Sequence, residues 1–163
     1  MKLISTAATG SIAPLITRIF FFTVFFPHGA QKLLGWFGGF GFTGTMEFFT
    51  GQVGLPWIVG FTVIMLEFFG SLALLAGVAT RFFSLALTFV VIGIILTSFR
   101  QYFFMNWFGT QPTEGMEYFL LLTGMLVSLV VSGAGRFSLD HYLGSKINSG
   151  TGGNRVLADL ILR

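Results

Sequence analysis

The chain is poor in polar side chains, and those able to do chemistry sit at a few separated points. Arg18, His28, Gln31 and Lys32 lie in or beside the first apolar run, Glu67 lies deep in the second, and Asn106, Glu114 and Glu117 precede or open the last. Trp36 and Trp107 flank these groups, each in a Trp-Phe-Gly triplet. An ionised side chain at the centre of a bilayer costs about 2.5–3.5 kcal/mol on insertion scales, so it normally faces other helices and has a partner. A helical turn of 100° per residue puts Arg18, His28 and Lys32 on one stripe. By helical rise Glu67 lies about 16 Å below Pro56, between the heights of His28 and Arg18. Two pairings follow, Glu67 with Arg18 or Glu67 with His28. Either pair serves as a buried bridge or handles protons, and Glu67 and His28 are the candidates for the second role. Pro27 interrupts helical hydrogen bonding beside His28, and Gly29 permits close backbone approach, which favours a small cavity there.

Several chemistries are set aside. Cysteine is absent, which removes thiolate nucleophiles, iron–sulfur clusters and Cys-ligated structural zinc. His28 and His141 are the two histidines, and the topology below puts them on opposite faces, so neither haem ligation by two histidines nor another metal site is expected. Gly38-Gly39-Phe40-Gly41 lacks the Lys-Ser/Thr and the preceding strand of a phosphate loop.

These residues need a scaffold, and composition says which kind. Of 163 residues 54% are hydrophobic and 9% charged, with 22 phenylalanines. Soluble domains carry about 25% charged residues, so this chain lacks the charge to cover a globule in water. It is an all-α integral membrane protein, because continuous apolar runs do not alternate as barrel strands do. Four spans are expected near 12–34, 56–77, 82–99 and 116–132, making one membrane domain over 1–143. Pro56 suits a helix start, and Gly77 and Gly133 suit helix exits. Arg18 interrupts any early signal-peptide core, so the first span is retained.

Basic residues set the orientation. Lys2, Arg18, Arg81, Arg136, Lys146, Arg155 and Arg163 fall on the side of both termini, and Lys32 and Arg100 on the other. Both termini are therefore expected in the cytoplasm, with the membrane a bacterial inner membrane. The net charge of +3 reflects this topology, not binding to nucleic acid. The two long outer loops, 35–55 and 100–115, are aromatic and glycine-rich. Their tryptophans read as an interfacial belt or as a weak echo of duplication. On the fourth span Gly124, Ser128 and Ser132 form a small-residue seam expected to pack inward. Residues 144–163 read as a flexible tail, linker-like over 144–153, whose last stretch suits a short amphipathic helix on the membrane.

Several ordered motifs together resemble the DoxX family of small bacterial membrane proteins. They are "HGAQKLLGWFGGFGFTGTMEFF", the Glu67 span followed by "GSLALLAGVATR", then "NWFG" and "EGMEYFLLLTGMLVSLVVSGAGRFSLD". The resemblance runs from about Arg18 to Asp140 and includes Arg81 and Arg136. It implies a four-helix membrane bundle, and relatives that serve as membrane subunits of oxidoreductase systems, one of them quinone-linked. Without cysteine, electrons would need a bound quinone or a partner protein, so catalysis by this chain alone is not expected. A ring could rest between His28, Lys32, Glu67 and the Trp-Phe-Gly loops. The alternative is a non-catalytic assembly subunit of a larger complex, or a carrier of small lipophilic molecules.

Overall fold

The computed structural model describes residues 11–150, with side chains through Ser145. Among them every regular element is helical. The first helix, α1 (Ala13–Leu34), starts with proline in its first turn and ends where Gly35 turns left-handed at φ 73°. It runs through Pro27 as one helix. Helix α2 (Gly41–Glu47) continues into a π-helical turn, Phe48–Gln52. Helix α3 (Trp57–Ala76) and helix α4 (Thr80–Phe99) are, with α1, long and apolar enough to cross a membrane. Helix α5 (Glu117–Ser132) has 16 residues, about 24 Å of rise against a hydrocarbon core of about 30 Å. Helix α6 (Leu139–Gly150) follows.

Helices α1, α3, α4 and α5 form the bundle. Its core joins Phe21 and Phe25 of α1 to Leu74 of α3, Leu87 and Val91 of α4, and Leu126 and Leu129 of α5. The opposite faces carry Phe20, Phe82 and Leu121, each at least 63% exposed. So much uncovered apolar surface is an aggregation hazard in water and ordinary against acyl chains.

The structure departs from the sequence reading in three places. The first long loop, 35–55, is largely helical, because Thr45 and Met46 bury one side of α2 and α2 packs on α1. The Gly124–Ser128 part of the seam faces outward; Leu122, Leu126 and Leu129 take the inner face of α5 instead, because large side chains fill the volume there. The stretch expected to be a linker is helical as far as Gly150, and the rest of that tail lies outside the described residues.

The end of the bundle that holds the α3–α4 turn is tied by charge. Gly77 closes α3 left-handed at φ 70°. The Asp140 carboxylate accepts from the Ala79 N–H at 2.8 Å and the Thr80 N–H at 3.0 Å, so α6 caps the start of α4. The Asp140 N–H in turn donates to the Gly77 carbonyl at 2.9 Å. Asp140→Ala should cost about 1–2 kcal/mol, as loss of an N-cap does. Thermal unfolding in detergent micelles measures it, and an unchanged midpoint would show that the capping contributes nothing.

Candidate functional site

Gly29 sets the site. A Cβ built there would meet the backbone carbon and oxygen of Glu67 at 2.7 and 2.8 Å and the Phe68 nitrogen at 2.7 Å. Only glycine lets α1 lie this close to α3. At the contact α3 is not α-helical. Leu66–Gly70 is a π turn, which inserts extra backbone and rotates the side chains that follow. Glu67, the second residue of that turn, lies in the helix interface, 0% exposed.

Lys32 reaches it from above. Helical Cα–Cβ bonds tilt toward the helix N-terminus, so a side chain one turn beyond Gly29 points back to the level of Gly29. The Lys32 Nζ donates to Glu67 Oε2 at 2.6 Å, with the lysine side chain 26% exposed. The other carboxylate oxygen, Oε1, is buried without a hydrogen-bond partner.

The pair borders a cavity of about 890 Å³. Its remaining walls are mainly apolar: Phe25 of α1, Phe48 and Phe49 after α2, Val63 and Leu66 of α3, Phe89 and Ile94 of α4, and Tyr118 and Phe119 of α5. His28 also lines it and is an exposed residue of α1. A mainly apolar cavity with a few convergent polar groups is the usual form of a small-molecule site. An aromatic ring with one polar edge fits both its size and its chemistry.

The structure brings His28, Lys32 and Glu67 together at this cavity and places the other candidates elsewhere. Arg18 pairs with neither Glu67 nor the cavity. Its Nη1 donates to the Leu74 carbonyl at 3.3 Å and the Leu75 carbonyl at 3.0 Å, and its Nη2 donates to the Phe137 carbonyl. A cation on the last carbonyls of α3 satisfies groups the helix leaves open and complements its dipole. The pairing of Glu67 with His28 is likewise replaced by Lys32. The sequence estimate measured depth from helix ends, whereas Gly29 sets the register by contact.

Gln31 donates through Nε2 to the Phe37 carbonyl at 3.3 Å, bracing the turn after α1. Trp36 packs edge-on against Phe37 and, like Trp107, is exposed. Asn106 folds the second loop: its Nδ2 donates to the Gln111 carbonyl at 2.8 Å and its Oδ1 accepts from the Gln111 N–H at 3.0 Å. Glu114 accepts from the Asn106 N–H at 2.8 Å, and Glu117 from the Met105 N–H at 3.1 Å. These residues shape loops. The aromatic walls were missed from sequence, because a phenylalanine facing a cavity and one facing lipid look alike in a continuous apolar run. Among the described residues no three His, Asp or Glu side chains cluster so as to hold a metal ion.

The family model for DoxX matches residues 13–100, more than half of the chain and all of α1 through α4. The chain belongs to the DoxX family. The match includes His28, Gly29, Lys32 and Glu67 and stops before Tyr118 and Phe119, so this DoxX chain completes its cavity with residues beyond the matched region. It is similar to "Putative oxidoreductase CatD" of Bacillus subtilis (strain 168), 29% identical over 132 residues, covering 81% of this chain and 87% of the relative. No solved structure matches it.

Proposed function

We propose that this DoxX protein is a membrane subunit of an oxidoreductase system and holds a quinone-type lipophilic ring in the cavity beside Lys32 and Glu67. The single observation that supports this most is a buried ion pair at the edge of a mainly apolar cavity of about 890 Å³, with Glu67 Oε1 unpaired. The name of the Bacillus subtilis relative, "Putative oxidoreductase CatD", agrees in class. In this reading the cavity opens on the outer leaflet of a bacterial inner membrane, both termini are cytoplasmic by the placement of basic residues, and a partner protein exchanges electrons with the bound ring. His28 and the Lys32–Glu67 pair orient the ring and hold protons at its polar edge. Phe48, Phe49, Phe89 and Phe119 offer faces to pack on it.

Gly93 supplies the test. It lines the cavity, and a Cβ added there meets nothing within 4 Å. Replacing an interior helical glycine also removes a propensity cost of up to about 1 kcal/mol. Gly93→Phe should therefore plug the cavity without loss of thermal stability. Protein purified in mild detergent should yield near-stoichiometric quinone on solvent extraction, and the variant far less. Equal yields from both, or none from the parent, reject the reading.

The outward seam of α5 favours a second reading, assembly. Nothing lies within 4 Å of a Cβ on Gly124, so another helix can approach closely there. A stoichiometric complex that contains no ring would select this reading over the first.

A further inference from the structure

The cavity is a wedge with one closed end. Helices α1, α3, α4 and α5 pack in that cyclic order, each on the next and the last on the first. A gap between two neighbours in such a ring faces lipid. Residues 66–76 of α3 pack on α4, and at Gly70 the two lie close: a Cβ there would meet Leu87 at 3.4 Å and Phe83 at 3.5 Å. Further along α4 a Cβ on Gly93 meets nothing within 4 Å. The first half of α3 and the second half of α4 thus stand apart, and the cavity fills the space between them. Ile58 on one side and Phe89 on the other both line it and remain 62% and 65% exposed, as rim residues do when nothing spans a gap. Val53, Leu55 and Thr113 of the two long loops wall the end nearest water.

The polar residues lie away from this gap. His28 and Lys32 belong to α1, which stands diagonal to α4 in the ring, and Glu67 lies within a turn of Gly70, where the wedge closes. A molecule with one polar end therefore points that end toward α1 and its apolar remainder toward the gap. We infer that the occupant enters and leaves sideways, from the bilayer between α3 and α4, and that it is a tailed lipophile whose chain stays in the gap among acyl chains. The inference rests on the cavity being a ring site, as proposed above. A chain on this path never meets water, so no apolar surface is hydrated on the way in or out.

Cysteine is absent from the chain, so single nitroxide labels on introduced cysteines test the route by electron paramagnetic resonance of the full chain in lipid nanodiscs. Oxygen concentrates in hydrocarbon, and a nickel chelate stays in water. A label on Gly93→Cys should relax with oxygen as strongly as one on Leu121→Cys at the lipid face, and with nickel as little. Stronger relaxation by nickel, or weak relaxation by both, overturns the sideways mouth and leaves the ring site standing. Labels on the rim variants Ile58→Cys and Phe89→Cys then follow the ligand. A decyl-tailed benzoquinone should cause a loss of oxygen access at both, and the same ring with a methyl in place of the tail should cause none. Equal loss with both rings overturns the path of the tail. No loss with either, at a Gly93 label open to oxygen, overturns the ring site and the tail's path together.

Discussion

Arg18→Leu should destabilise the protein more than any other single change considered, by roughly 2–5 kcal/mol, since each stranded buried polar group costs about 1–3 kcal/mol. The arginine is 0% exposed and supplies hydrogen bonds to three carbonyls on two segments, Leu74 and Leu75 at the end of α3 and Phe137 before α6. Without it Leu74 keeps the Gly77 N–H at 3.1 Å, while Leu75 and Phe137 lose the donor that joins them. Leucine cannot replace the guanidinium, and lysine lacks the planar fork needed to span separate carbonyls. Arg18→Lys should therefore recover only part of the loss. Thermal unfolding in detergent, read by size-exclusion profile, measures both. A leucine variant as stable as the parent removes the capping role. A variant that keeps its stability but loses ring binding would instead return Arg18 to the cavity.

The second large effect is expected where α1 touches α3. Gly29→Ala places a methyl 2.7 Å from the backbone of Glu67 and Phe68. Backbone cannot yield as the tip of a flexible side chain can, so the helices must separate. Overpacking of this kind costs about 1–3 kcal/mol. The direction is diagnostic, because glycine to alanine inside a helix ordinarily stabilises by up to about 1 kcal/mol. At Gly93, where the added methyl meets nothing, the same change should raise the melting midpoint; at Gly29 it should lower it. The 2.6 Å contact of Lys32 with Glu67 spans the same interface, so Gly29→Ala should also weaken ring binding. If Gly29→Ala melts at or above the parent, the close approach is not what sets the register.

The membrane class was legible without coordinates, because 9% charge cannot clothe a globule in water. The long helices were legible too, since 20 apolar residues in a row have few other uses. His28, Lys32 and Glu67 also stood out as polar groups in or beside apolar runs, and all three line one cavity. Composition and period report how a residue fares against its surroundings, and a charge in a greasy run stands out whatever the fold.

Pairing does not follow from that logic. Arg18 and His28 were the expected mates for one carboxylate, and Lys32 took it instead, because the Gly29 contact sets α1 against α3 at the level of Glu67. The π turn at Leu66–Gly70 also turns the α3 side chains that follow it by about 100°, which uniform helical counting misses. The inner and outer faces of α5 were misread for a related reason. Leu126 and Val127 are equally apolar in sequence, yet one is buried and the other exposed, because lipid and protein core accept the same side chains. From its residues alone, then, the chain declared its solvent and its unusual polar groups. Which of those groups meet, and around what space, was decided by helix contacts a few ångströms wide that local sequence does not encode.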